Sequence, residues 1–134
     1  MTESGATGFG LGPIGQVLIP VSDIERATAW YRDVLGFPFL FAFPGMAFLD
    51  ADGVRLYLAT PTEPGFDGRA TLYFRVADID EAVAVLEARG VAFSGRPHMI
   101  FDDGTLETWM CFSRDPDGNN IALMSEVPSA DQIV

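Results

Sequence analysis

The feature that most constrains this chain is an internal repeat. Val21-Ser22-Asp23-Ile24-Glu25 matches Val76-Ala77-Asp78-Ile79-Asp80, and a glycine follows each at a similar distance, Gly36 and Gly90. Further on, Asp52-Gly53-Val54-Arg55-Leu56-Tyr57-Leu58 matches Asp117-Gly118-Asn119-Asn120-Ile121-Ala122-Leu123, turn against turn and strand against strand. Chance produces one such match but not several in the same order. A unit that occurs twice has two equivalent apolar faces to bury, so the chain is expected to fold as two like modules in contact.

The unit itself can be read from its periodicities. Residues 15–21 alternate Val17, Ile19 and Val21 with Gln16, Leu18 and Pro20, the period of a half-buried strand. Ser22 to Glu25 fits a capping box, with Ser22 at the N-cap and Glu25 at N3. It opens a run with Ile24, Ala27, Trp30, Tyr31 and Val34 at helical spacing, which Gly36 closes. Residues 37–43, 46–49 and 54–59 read as strands separated by Pro44-Gly45 and Asp52-Gly53 turns. The unit is therefore βαβββ. In the second copy, strands are expected at 71–76 and 106–113 and after the Asp115-Pro116-Asp117-Gly118 turn. The second copy is about ten residues longer, which we place as an insertion within Gly95 to Thr105, around the chain's single histidine, His98.

The expected class is α+β, with two βαβββ repeats forming a cupped eight-stranded mixed sheet with the helices outside. Residues 1–14 read as a flexible arm, 15–60 as the first module, 61–69 as a Pro/Gly-rich linker, 70–127 as the second module and 128–134 as a tail.

Composition excludes several functions. Eight basic residues against nineteen acidic ones give a net charge of −11, a field that repels nucleic acid and anionic membrane. No apolar run approaches the ~18 residues of a membrane helix. The N-terminal residues lack a basic segment followed by an apolar one, and the single Cys111 has no internal disulfide partner, so a cytoplasmic location is expected.

The doubled unit, its (V/I)-x-D-(I/L) helix starts, the WYRDVLGF segment and the terminal DPDGNNIAL together resemble the vicinal oxygen chelate superfamily of glyoxalases, bleomycin-resistance proteins and extradiol dioxygenases. The resemblance spans about Gly15 to Glu126. It implies the cupped fold, a homodimer, and in metal-dependent members four inward-pointing ligand positions. Carried over by motif, these are Gln16, Tyr57, Thr71 and Ala122; of the four, Gln16 alone is a residue type the family uses as a ligand. A divalent metal wants three or four imidazole, thiolate or carboxylate donors, and this set offers an amide, a phenol, a hydroxyl and nothing. No metal or other cofactor is expected. A new site built from His98, Glu107 and Asp102 or Asp103 has a poor ligand count.

By alternation, Gln16, Leu18, Tyr57, Thr71, Tyr73, Ala122 and Met124 face away from the helices and line the cup, an apolar and aromatic surface with hydrogen-bonding tips. Arg55 and Arg75 share this parity and are candidates for holding an anionic group, although surface arginines more often pair with local acids. Trp109 is a candidate ligand platform, core residue or subunit contact, and Cys111 reads as buried and inert. Trp30 and Tyr31 read as packing residues.

The leading reading is metal-independent binding of a small aromatic or apolar molecule between the modules. The alternative is a metal-independent lyase, isomerase or cyclase, with His98 or Glu107 as general acid/base and Tyr57, Gln16 or Tyr73 holding an oxyanion. A metal-dependent glyoxalase or dioxygenase is less favoured.

Overall fold

The computed structural model describes residues 9–62 and 68–130. The first eight residues of the expected arm, residues 63–67 of the linker and the last four residues of the tail lie outside the described residues. The first module comprises β1 (Gln16–Pro20), α1 (Ile24–Ala29), which runs on as a π-helical turn over Trp30–Val34, β2 (Phe39–Phe43), β3 (Met46–Ala51) and β4 (Val54–Ala59). The second comprises β5 (Thr71–Arg75), α2 (Ile79–Ala88), β6 (His98–Asp102), β7 (Leu106–Arg114) and β8 (Asn120–Pro128). The strands form two four-stranded mixed sheets of identical order, β1-β4-β3-β2 (sheet I) and β5-β8-β7-β6 (sheet II). In each, the first strand is parallel to the last and the remaining pairs are antiparallel. The expected βαβββ repeat is thus the observed architecture.

Three local details differ from expectation. The N-cap of α1 is Asp23, whose carboxylate accepts from Arg26 N at 3.1 Å, one residue later than the capping box implies. α2 is capped the same way by Asp78, which accepts from Glu81 N. The shared Asp of the repeat is the cap in both modules, and Ser22 is left for another partner. Residues 98–102 are the edge strand β6, the counterpart of β2, rather than part of an inserted loop. The extra length of the second module is distributed over the connection from Gly90 to His98, the longer β7 and the turn after it.

Each helix covers one face of its sheet. Ile19, Leu49, Leu56 and Leu58 pack with Ala27 and Tyr31 of the α1 segment, and Cys111 and Leu123 pack with Ile79 and Val83 of α2. The first cluster continues across the module boundary through Ile121, Leu72 and Phe74, so the modules join on their helix-covered faces. Among the described residues, no helix is long and apolar enough to cross a membrane.

The two junctions related by the repeat are unequal. In one, the β7–β8 turn docks on α1. Tyr31 OH donates to Asp115 Oδ2 at 2.7 Å, Ser22 N and Arg26 donate to Asp117 Oδ1, and Asn119 bridges to Pro20 O and Ala70 N. In the other, the β3–β4 turn faces α2, and the equivalents of Ser22, Arg26, Tyr31 and Asn119 are Ala77, Glu81, Leu86 and Val54. None of these side chains donates a hydrogen bond to a carboxylate. Asp50, Asp52 and Glu81 instead border an open, mostly apolar groove of ≈1180 Å³.

Candidate functional site

The face of each sheet turned away from its helix is the candidate site, and cross-strand register decides what it carries. In sheet I, Leu18 pairs with Tyr57, Tyr57 with Phe48, and Phe48 with Phe41, which places four apolar side chains in one row across four strands. The rings of Tyr57 and Phe48 are stacked, 4.8 Å apart with planes 9° from parallel, and Phe41 lies 4.7 Å beyond Phe48. Phe43 continues the apolar surface, 5.7 Å from Phe41. β-strands hold alternate side chains upright on one face, so facing aromatic pairs stack without further constraint. The adjacent row is polar: Gln16, Arg55 and Asp50. Beside Tyr57, Leu18, Met46 and Ala59 line a smaller hollow of ≈360 Å³.

In sheet II, Tyr73 pairs with Ala122 and Ala122 with Phe112, and the Tyr73 and Phe112 rings meet edge to face over the small Ala122 side chain, which is fully buried. The next row is Arg75, Met124, Met110 and His98. On the other side Thr71 Oγ1 accepts from Asn120 Nδ2. Gln16, Leu18 and Tyr57 therefore share one sheet, and Thr71, Tyr73, Ala122 and Met124 share the other. Among the described residues, no ring contact or hydrogen bond joins the two open faces.

The other candidates sit differently. Trp109 and Glu107 lie on the helix-covered face of sheet II, where Trp109 packs with the α2 core. Glu107 is engaged there: it accepts from Trp109 Nε1 at 3.0 Å and from Ala130 N at 3.0 Å. Placing these two in the cup or at its chemistry is corrected by the register, since Phe112 pairs with Ala122 and carries the even-numbered residues of β7 to the open face. His98 is on the open-face side but at the exposed edge strand, its Nδ1 3.1 Å from Arg96 O. The two general acid/base candidates are thus on opposite faces of one sheet. Cys111 is buried, and desolvation raises its thiol pKa. Arg75 pairs with Glu126, whereas Arg55 extends over Phe48, 5.7 Å from the ring centre.

The residues at the four family ligand positions do not fit a divalent metal. Gln16 supplies a neutral amide oxygen, Tyr57 lies in a ring stack, the Thr71 hydroxyl is engaged with Asn120, and Ala122 has no donor. Among the described residues, no group of three or more His, Cys, Asp or Glu side chains gathers elsewhere in a metal-binding arrangement.

The family model described as "Glyoxalase/Bleomycin resistance protein/Dioxygenase superfamily" matches residues 13–123. Among solved structures, the chain is similar to TnmS3, an antibiotic binding protein from Streptomyces sp. CB03234, at 28% identity and a TM-score of 0.71, covering 90% of this chain and 99% of that one. It is also similar to a member of the same superfamily from Sphaerobacter thermophilus DSM 20745, at 27% identity and a TM-score of 0.69, covering 86% and 98%. Lactoylglutathione lyase from Agrobacterium tumefaciens shares the fold, at 21% identity and a TM-score of 0.72, covering 87% and 95%. No curated protein matches.

Proposed function

Given that the chain belongs to the Glyoxalase/Bleomycin resistance protein/Dioxygenase superfamily, we propose that it binds a small aromatic or apolar organic molecule, without a metal, against the open face of sheet I. The observation that carries this reading is the stack of Tyr57, Phe48 and Phe41. Tyr57 and Phe48 lie parallel and Phe41 is tilted 35° to Phe48; such an aromatic surface suits a planar ligand, and aromatic contact contributes about 0.5–1.5 kcal/mol per pair beyond area burial. Support comes from TnmS3, which is described as antibiotic-binding, and from the donor-poor set at Gln16, Tyr57, Thr71 and Ala122. Glu107 is engaged on the helix-covered face of sheet II, which leaves His98 as the acid/base candidate on an open face.

A homodimer completes the site in this reading. Phe39, Phe41 and Phe43 of β2 and Met99, Ile100 and Phe101 of β6 are exposed, apolar surface on both edge strands that soluble monomers seldom leave uncovered. A second, cytoplasmic copy laid with its sheet II over sheet I puts Tyr73, Ala122 and Met124 opposite Leu18 and Tyr57. The expected cup then lies between modules of different chains.

Calorimetric titration with planar two- and three-ring aromatic molecules tests the reading. Stoichiometric binding is expected, insensitive to EDTA, with the probe recovered unchanged and Tyr57→Ala weakening affinity about tenfold, the equivalent of ~1.4 kcal/mol. Binding abolished by EDTA, indifference to Tyr57→Ala, or chemical conversion of the probe would each count against it.

A further inference from the structure

All eight basic residues of this chain are arginines, set among nineteen acids. Six of them are engaged. Arg26, Arg32, Arg75 and Arg96 pair with Asp117, Asp33, Glu126 and Glu87. Arg69 and Arg89 donate to the backbone carbonyls of Asp117 and Val34. The side chains of Arg55 and Arg114 make no ion pair or hydrogen bond with another described residue, and the register places both on open faces, Arg55 on sheet I and Arg114 on sheet II. With carboxylates outnumbering guanidiniums by more than two to one, a guanidinium left without an acid needs a reason.

Arg55 has a specific setting. Its cross-strand neighbours are Gln16 and Asp50, and Asp50 Oδ1 accepts from Gly53 N, the bond that shapes the β3–β4 turn. The guanidinium lies instead over Phe48, the middle ring of the aromatic row. Two residues along β4, a rise of about 6.6 Å, comes Tyr57. That separation is on the scale of one fused ring plus a carboxyl group. Arg114 has Phe112 two residues away on the same face of β7, but no cation–ring contact of the Arg55 kind is found there among the described residues. Its cross-strand neighbour is Asn120.

We propose that the molecule bound on sheet I is an aromatic acid, its ring stacked on Tyr57 and Phe48 and its carboxylate, or a comparable planar anionic group, held by the Arg55 guanidinium. The inference rests on the reading of sheet I as the ligand platform and adds the charge of the ligand. Guanidinium and carboxylate match as planar forks, which gives two parallel hydrogen bonds rather than one point contact. The net charge of −11 opposes any anion at long range, but at physiological ionic strength that field decays within about 8 Å, so the local guanidinium decides at contact. Gln16, in the same row, carries an amide that can donate to a second oxygen.

The test uses two probes of equal ring area, 2-naphthoate and its neutral isostere 2-naphthamide, titrated into the full chain and into Arg55→Gln, Arg114→Gln and Tyr57→Ala. Wild type is expected to prefer the acid by about tenfold, with the preference shrinking as salt is raised. Arg55→Gln removes the preference, so that acid and amide bind alike, Arg114→Gln keeps it, and Tyr57→Ala weakens both probes. If naphthamide binds and needs Tyr57 but wild type shows no preference for the acid, or Arg114→Gln rather than Arg55→Gln abolishes it, the aromatic-acid proposal is wrong and the platform stands. If neither probe binds, or both ignore Tyr57→Ala, the platform reading and this proposal fall together.

Discussion

Tyr31→Phe isolates the hydrogen bond that fastens the two modules. The phenol is completely buried, so the substitution removes one oxygen and creates no cavity large enough to matter. What is lost is the 2.7 Å bond to Asp115 Oδ2, a hydrogen bond to a charged acceptor. Such bonds contribute about 1.5–3 kcal/mol. The lower part of that range applies, because Asp115 still accepts from Asp117 N, Asn119 N and Asn119 Nδ2 and is not stranded. A loss of about 1.5–2 kcal/mol in a chain of this length corresponds to a fall in Tm of roughly 5–7 °C.

The pH dependence gives the second half of the test. Burial first, and then the Asp115 carboxylate, hold the Tyr31 phenol far above its ordinary pKa. With a raised folded-state pKa, the contribution is fully present below the unfolded value of about 10 and is lost as pH rises beyond it, at about 1.4 kcal/mol per unit. The phenylalanine variant has no such loss, so the stability gap narrows by about 1.4 kcal/mol by pH 11. Urea unfolding followed by circular dichroism at pH 7 and pH 11, with equal m-values for the two proteins, measures both numbers. A gap below about 0.5 kcal/mol at pH 7, or one unchanged at pH 11, refutes the assignment of this bond as a buried junction contact.

Other outcomes follow from the same structure. Asn119→Ala strands Ala70 N and Pro20 O at a fully buried position and is expected to cost about 2–4 kcal/mol in urea unfolding, more than Tyr31→Phe. Glu107→Gln leaves ligand affinity unchanged because it acts on the helix-covered face, whereas Phe48→Ala reduces affinity about tenfold; calorimetry on the two variants checks the assignment of faces. Cys111, buried and with its thiol pKa raised, reacts with a thiol reagent far more slowly in the native protein at pH 8 than in urea. Glu81→Arg sets a cation across the open groove from Asp52, and is expected to raise Tm at low salt, with the gain disappearing at high salt.

The repeat and the order of elements along the chain were legible because they depend on local signals: period-2 alternation, Asp-Gly turns and glycine stops. β6 was not. Residues 98–102 are exposed throughout and follow a Gly-Arg-Pro stretch, so they carry neither the alternation of a half-buried strand nor a turn that isolates them. The face of Trp109 was hidden for another reason. The alternation of β7 separates two sets of side chains without saying which set meets the helix, and the pairing of Phe112 with Ala122 decides it. The Phe48–Tyr57 stack was within reach of the sequence, since counting outward from the Asp52-Gly53 turn through Ala51 and Val54 pairs the two residues. The run 37–43, aromatic on both faces, obscured it. Asp115 was read as a turn residue, and its bond to Tyr31 spans 84 positions, which no local pattern reports.

Native mass spectrometry of the protein taken from its own cell extract tests the central claim most directly, since it reports subunit number, metal and bound organic mass together. The account predicts a homodimer with an aromatic molecule bound and no divalent ion, and loss of that molecule from Tyr57→Ala. A protein that carries one tightly held divalent ion per chain, or one whose bound molecule persists undiminished in Tyr57→Ala, would contradict it.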